Sequence, residues 1–285
     1  MDSTKIKELN SLVLHRLSLY LNNCPDRITA KEVEDAAAYC KTSKEEAFRI
    51  LIAGSLDLYG EKEIYNLYLR KMFKPLDVSV YRNDPYYKNI IIEGIRIGGR
   101  HTGTKTYKPY ELFVYNDLLR LPDGRILPQV GYFEEDFSYP VIYQNNREWM
   151  LITPNEIETM KKPVAEAYGK VLTYGLGLGY YAYMVSEKPE VESVTVVECD
   201  DDAINLFKQQ ILPQFPRGHK LEILKCDAFE FALSDRVKAY DCVFADIWHD
   251  PSDGLEPYVF LKALEKPGIH YSYWIENTLK CYLKP

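Results

Sequence analysis

No stretch of the chain approaches the run of about eighteen apolar residues that a membrane-spanning helix needs. The opening residues, MDSTKIKELN, hold no apolar signal core. Together these absences lead to the expectation of a cytoplasmic protein with no membrane partner. Cysteine is sparse and scattered: Cys24, Cys40, Cys199, Cys226, Cys242 and Cys281 include no C-x-x-C pair, which argues against a zinc knuckle and a disulfide framework. Reduced thiols, three of them in or beside core strands, are expected instead. Lys and Arg never concentrate. Residues 1–150 carry 21 basic and 21 acidic side chains and residues 151–285 carry 14 and 21, so neither half presents the basic face that grips a phosphate backbone. Nucleic acid is therefore the less favoured partner, a small-molecule or protein substrate is favoured, and an oligomer is left open.

What the chain does have is centred on Val171 to Asp200, VLTYGLGLGYYAYMVSEKPEVESVTVVECD. Val171 to Tyr174 reads as a short buried parallel strand, followed at alternate positions by Gly175, Gly177 and Gly179. Glycines suit a turn that must be sharp and must let a ligand approach the backbone, and a helix starting near Leu178 would point its N–H groups at the same spot. Val194 to Val197 reads as the next strand, and Glu198 closes it, about 20 residues after the glycines, where an acid takes two ribose hydroxyls in nucleotide-binding folds. Three glycines alone also make a tight strand-to-helix turn with no ligand. The flanking strand, helix and terminal acid favour the binding reading.

From about Trp149 to about Tyr258 the chain resembles the cofactor-binding core of class I S-adenosylmethionine-dependent methyltransferases, most closely the spermidine synthase-like branch. The resemblance implies an α/β fold with a Rossmann-like core, S-adenosyl-L-methionine as cofactor, and a transferase with an unidentified acceptor. Carried onto this sequence, cofactor contacts are expected at Tyr174, Gly175, Gly177, Gly179, Glu198, Cys199, Asp227, Ala228 and Asp246. Asp227 and Ala228 correspond to the adenine contacts of the family, although Asp227 is equally well placed to cap the helix AFEFAL. Departures are visible too. Thr173 stands where the family's first strand often has an acid, and Leu178 where the spermidine synthases have the acid of Gly-Asp-Gly. Two alternatives follow: an aminopropyltransferase using decarboxylated S-adenosylmethionine, and a non-catalytic adenosyl-ligand-binding protein.

Asp246 follows the strand DCVFA, outside whose C-terminal end ligands of open parallel sheets bind. It is the expected reacting group, with His249 and Asp250 as alternative bases. The loop D-I-W-H-D-P is one residue longer than the polyamine-binding loop it resembles and contains Trp248.

The remaining tracts frame this core. Residues 1–76 read as a helical module in which ITAKEVEDAAAYCKTSKEEAFRILI fits a helix-turn-helix or a plain helical hairpin, with Thr29 as one cap and Ser43 with Glu46 as a second. Residues 77–150 read as β-rich, with IIIEGIRIGG, YELFVYNDLLRL and YPVIYQ as strands, a hairpin turn at Pro122-Asp123-Gly124, and tyrosines suited to a lid or to domain packing. Residues 151–285 read as the α/β domain. Its entry helix begins at Pro154 and carries Glu156, the counterpart of an amine-binding acid in the resembled branch. LEPYVFLKALEK and HYSYWIENTLKCYL read as closing helices, with Tyr271 and Trp274 packing the last one. Only four strands are legible, so the sheet is either truncated or completed from the middle region.

Overall fold

The apolar runs of the second half become the strands of one parallel sheet in the computed structural model of the chain, which describes residues 2–94, 96–97 and 99–283. The strands are β1 (Gly169–Tyr174), β2 (Val191–Glu198), β3 (Leu221–Lys225), β4 (Cys242–Ala245) and β5 (His270–Tyr273). Their order is β3-β2-β1-β4-β5, every neighbour parallel. Strand order reverses between β1 and β4, which opens a crevice at their carboxyl ends. This is a Rossmann-like α/β core.

Register separates the two faces of the sheet. Phe244 pairs with Thr173 and stacks on Tyr181 at 4.1 Å, so α2 (Tyr180–Ser186), which follows α1 (Pro154–Glu166), covers that face. Ala245 pairs with Tyr174, whose ring meets Phe231 edge-on at 6.3 Å. After α3 (Asp201–Leu206), therefore, α4 (Ala228–Leu233) covers the opposite face. Sheet residues such as Val171, Leu172, Val194 and Val196 are fully buried, each burial stabilising the fold by roughly 1.5–3 kcal/mol. α5 (Pro251–Ala263) and α6 (Glu276–Tyr282) complete the core.

One expectation is overturned here. HYSYWIENTLKCYL is not one helix: His270–Tyr273 is the fifth strand, and helix begins only at Glu276. The Pro267-Gly268 turn, with Gly268 at φ +83°, frees the chain to enter the sheet, and Trp274 N–H extends the ladder to Ala245 O at 2.9 Å. Tyr271 and Trp274 accordingly belong to this strand and its end. The tract IIIEGIRIGG likewise yields only the two-residue strand Arg96–Ile97, with Ile95 and Gly98 outside the described residues.

The chain divides into two compact units, Met1–Ser79 with Thr106–Ser138, and Val80–Lys105 with Tyr139–Pro285. In the first, the helix Ala30–Cys40 starts in a reciprocal capping box between Thr29 and Glu32. Ser43 accepts from Glu46 N–H at 3.2 Å, but the Glu46 carboxylate turns to Arg49 and Tyr65 instead of reciprocating. Phe48 and Ile52 of the helix Lys44–Ser55 join a core with Leu127, Val130 and Tyr132. The two helices thus pack as a hairpin within this unit. The expected hairpin is also present, with Phe113–Arg120 antiparallel to Ile126–Tyr132. The parallel sheet lies wholly in the second unit, together with the antiparallel pairing of Val141–Gln144 against Arg147–Leu151.

Candidate functional site

Backbone packing sets the floor of the site. Gly175, at φ +92°, lies so close to the loop after β4 that an added Cβ would stand 1.9 Å from Asp246 O. Gly177, at φ +53°, has nothing within 4 Å of the same construction, so its outer side is open to a ligand. Glu198 ties the turn to the end of β2. Its Oε2 accepts from Leu176 N–H at 3.1 Å, and its Oε1 from the N–H groups of Cys199 at 2.8 Å and Asp200 at 2.9 Å.

Above this floor is a cavity of about 520 Å³, lined by the glycine turn, Glu198, Cys199, Glu156 of α1, and the loop from Asp246 to His249. That volume is within the range of small-molecule sites. Its charge is one-sided: Glu148, Glu156, Glu198, Asp200 and Asp246 all line it, and no Lys or Arg does among the described residues. Burial pushes the Asp246 carboxyl up to about 7, against a downward pull from His249. Burial, and secondarily the Asp246 charge, hold Glu156 well above the usual carboxylate range.

The sequence-derived residues divide into those that meet in this cavity and those that do not. Gly175, Gly177, Gly179, Glu198, Cys199, Asp246 and His249 line it. Tyr174 points to the opposite face and borders an apolar void of about 10 Å³, too small for a ligand. Asp227 caps α4, its Oδ1 accepting from Phe229 and Glu230 N–H at 2.8 and 3.0 Å, and neither it nor Ala228 lines the cavity. Asp250 caps α5, accepting from Ser252 N–H at 2.6 Å in a reciprocal box with Asp253. His249 Nδ1 lies 2.9 Å from Asp253 Oδ2, with its side chain 73% exposed. Burial, then the Glu198 charge, pushes the Cys199 thiol up, which disfavours a reactive thiolate. Among the described residues no cluster of His, Cys, Asp and Glu could hold a metal ion.

No protein-family model matches the chain, and no curated protein matches it. Among solved structures it is similar to precorrin 8W decarboxylase of Methanobacterium thermoautotrophicum. Identity is 18% and the TM-score 0.32, with 43% of this chain covered. The chain spans 63% of that protein's length. A likeness this slight carries no argument about chemistry.

Several residues of the site have no local sequence signal. Arg100, 1% exposed, donates to Asp200 Oδ2 at 2.5 Å, lies 3.0 Å from Asp202 Oδ2, and sits 4.0 Å over the ring of Trp149. It therefore fixes two residues of the cavity wall, Asp200 and Trp149, without lining the cavity itself. Trp274 also lines the cavity, held by its Nε1 donating to Thr159 Oγ1 at 2.9 Å. From outside, the short helix Pro85–Asn89 braces the glycine turn. Tyr86 hydroxyl donates to Leu178 O at 2.5 Å, and Asp84 accepts from Tyr180 hydroxyl at 2.9 Å.

Proposed function

We propose that the chain is a class I S-adenosyl-L-methionine-dependent methyltransferase acting on a small-molecule or protein acceptor. The observation that carries this reading is the acid-lined cavity over an open glycine turn at the carboxyl ends of β1, β2 and β4. A ligand suited to it brings positive charge and lies close to backbone. An adenosyl sulfonium with an amino-acid tail meets both demands. S-adenosyl-L-methionine, when bound, supplies an electrophilic methyl group on a cationic sulfur.

The chain's own residues have assignable tasks. Glu198 has lone pairs beyond the three N–H groups it accepts, and these are assigned to the ribose hydroxyls. Asp246 is the proton acceptor for the nucleophile, because Asp250 is engaged as a cap and the His249 ring by Asp253. A carboxyl with its pKa near neutral pH is well matched to that task. Positioning and exclusion of water account for the rest of the catalysis.

The aminopropyl-transfer alternative is weakened by two observations: Asp250 caps a helix, and the apolar Leu178, 4% exposed, stands at the glycine turn. Calorimetry with S-adenosyl-L-methionine and S-adenosylhomocysteine tests the reading. Both should bind. Glu198→Gln, which keeps an acceptor but removes the charge, should weaken both by about ten- to a hundredfold. A folded protein that takes up neither nucleoside would overturn the assignment. Steady production of spermidine from putrescine and decarboxylated S-adenosylmethionine would move it to the alternative.

A further inference from the structure

We propose that the base of the ligand is held by stacking on Trp149, and that Arg100 fixes this platform at a set distance from Glu198. For the ligand's identity this rests on the adenosyl reading above. It departs from the base contacts that the resemblance implied, because neither Asp227, Ala228 nor any other described residue of the loop after β3 lines the cavity.

Trp149 reaches the cavity through a local irregularity. On the strand Arg147–Leu151, Glu148 lies opposite Tyr143 and Met150 opposite Ile142, so Trp149 is the extra residue of a β-bulge. Regular pleating would send it and its two neighbours to opposite faces. A bulge re-aims side chains, and Glu148, Trp149 and Met150 all line the cavity. The indole is half-buried. The Arg100 guanidinium covers one of its faces, 4.0 Å from the ring centre, which leaves the opposite face for a second planar partner.

Arg100 connects this ring to the ribose end of the site. It is 1% exposed, donates to Asp200 Oδ2 at 2.5 Å and lies 3.0 Å from Asp202 Oδ2. Asp200 in turn gives its N–H to Glu198 Oε1 at 2.9 Å and caps α3 by accepting from Ala203 N–H at 3.0 Å. All of these residues belong to one compact unit. A buried ion pair adds little net stability, since desolvation offsets the attraction; here it sets where the indole stands relative to Glu198. A nucleoside requires that, because its base is bonded directly to the sugar.

The other rings of the lining are engaged or too distant. Tyr181 stacks on Phe244, and Tyr180 packs against Tyr86. Trp248 follows β4 and Trp274 follows β5, two and three strands away from β2. At about 4.8 Å per strand they stand roughly 10 and 14 Å from the strand that Glu198 closes, beyond the reach of a base whose ribose is on Glu198.

The test is calorimetry with S-adenosylhomocysteine, with S-inosylhomocysteine, which has a carbonyl in place of the 6-amino group, and with S-ribosylhomocysteine, which lacks the base. Trp149→Leu should weaken S-adenosylhomocysteine by about five- to a hundredfold, and Trp149→Phe should recover most of that loss. S-ribosylhomocysteine should bind wild type and Trp149→Leu alike. S-inosylhomocysteine should match S-adenosylhomocysteine in the wild type, because stacking tolerates changes at the edge of a base. Arg100→Lys keeps the charge but not the planar fork, so it should weaken the two nucleosides and spare S-ribosylhomocysteine. If that variant does not fold, Trp149→Leu still decides the platform. Wild-type affinity for S-adenosylhomocysteine in a folded Trp149→Leu protein overturns the inference and leaves the adenosyl reading standing. An equal loss for S-ribosylhomocysteine, or a wild type that rejects S-inosylhomocysteine, also overturns it. If the wild type binds neither nucleoside, the adenosyl reading falls and this inference falls with it.

Discussion

Gly175 occupies a point where two backbone segments meet, and both its φ of +92° and the 1.9 Å approach of Asp246 O to a built Cβ exclude a side chain. Gly175→Ala should therefore push the glycine turn away from the β4 loop. The left-handed backbone alone costs alanine about 1–2 kcal/mol, and the contact with a carbonyl oxygen adds to it. Denaturation should show a loss of at least that size, with a more than tenfold loss of S-adenosylhomocysteine affinity by calorimetry. Wild-type values for both would contradict the packing of turn on loop. The glycines and Glu198 were legible in the sequence because their relation is local, one strand and one turn apart. Asp250 and His249 suited a catalytic role by chemistry alone. Their geometry instead follows the capping box between Asp250 and Asp253, a spacing that is readable in D-P-S-D. Glu156 could be suspected from resemblance, but its neighbour Asp246 comes from a distant strand that no local pattern reveals.

The short helix Pro85–Asn89 gives part of the tyrosine-rich middle region a definite role. Tyr86 is buried, its ring 5.5 Å from those of Tyr180 and Tyr183, and Asn89 Nδ2 donates to Tyr183 hydroxyl at 2.7 Å. The helix is thereby fixed to the glycine turn and to α2. Tyr86→Phe would leave the Leu178 carbonyl unpaired, at a cost of about 1–3 kcal/mol. Amide exchange at Gly177 and Gly179 should quicken in this variant while exchange in β2 changes only with global stability. Unaltered exchange at the turn would reduce Tyr86 to ordinary packing. From sequence, tyrosine density fitted a lid or domain packing, because composition cannot say which carbonyl a phenol reaches. β5 was hidden for a different reason. Four residues carry little periodicity of their own, and the helical pattern of the following IENTLKCYL extended backwards over them, although the Pro267-Gly268 turn marks the break. The longer strands β2 and β3 were legible because their apolar runs are bounded by turn or capping residues.

Across the whole molecule, the formal charge of −7 comes from the second half, and part of it is gathered around one cavity, where Arg100 answers Asp200 but no ion pair answers Glu156, Glu198 or Asp246 among the described residues. In the first unit Arg49 is held between Glu45 and Glu46, as Arg100 is between Asp200 and Asp202 in the second. Sequence order also conceals how that unit closes, since its helices share a core with Leu127, Val130 and Tyr132 from a later part of the chain. Unpartnered carboxylates that serve a ligand should lower stability in its absence, and the direction with pH follows from linkage. The unfolded chain gives up the Asp246 proton near the ordinary value of 3.8, whereas the native chain keeps it until about 7. Between those values the native state binds more protons than the unfolded state, so stability from this group falls as pH rises. Its contribution is fully present below about pH 4 and is lost above about pH 7, a change of roughly 2–4 kcal/mol. Asp246→Asn removes the titration but keeps the shape. The stability of Asp246→Asn relative to the wild type should therefore climb from pH 4 to pH 7 and then level off, as read by urea denaturation without ligand. S-adenosylhomocysteine at saturation should favour the wild type and shrink that difference, because a bound ammonium stabilises the ionised acid. A flat difference curve over this range, or one that climbs towards low pH, would mean that Asp246 ionises in the native cavity as an ordinary exposed carboxylate does.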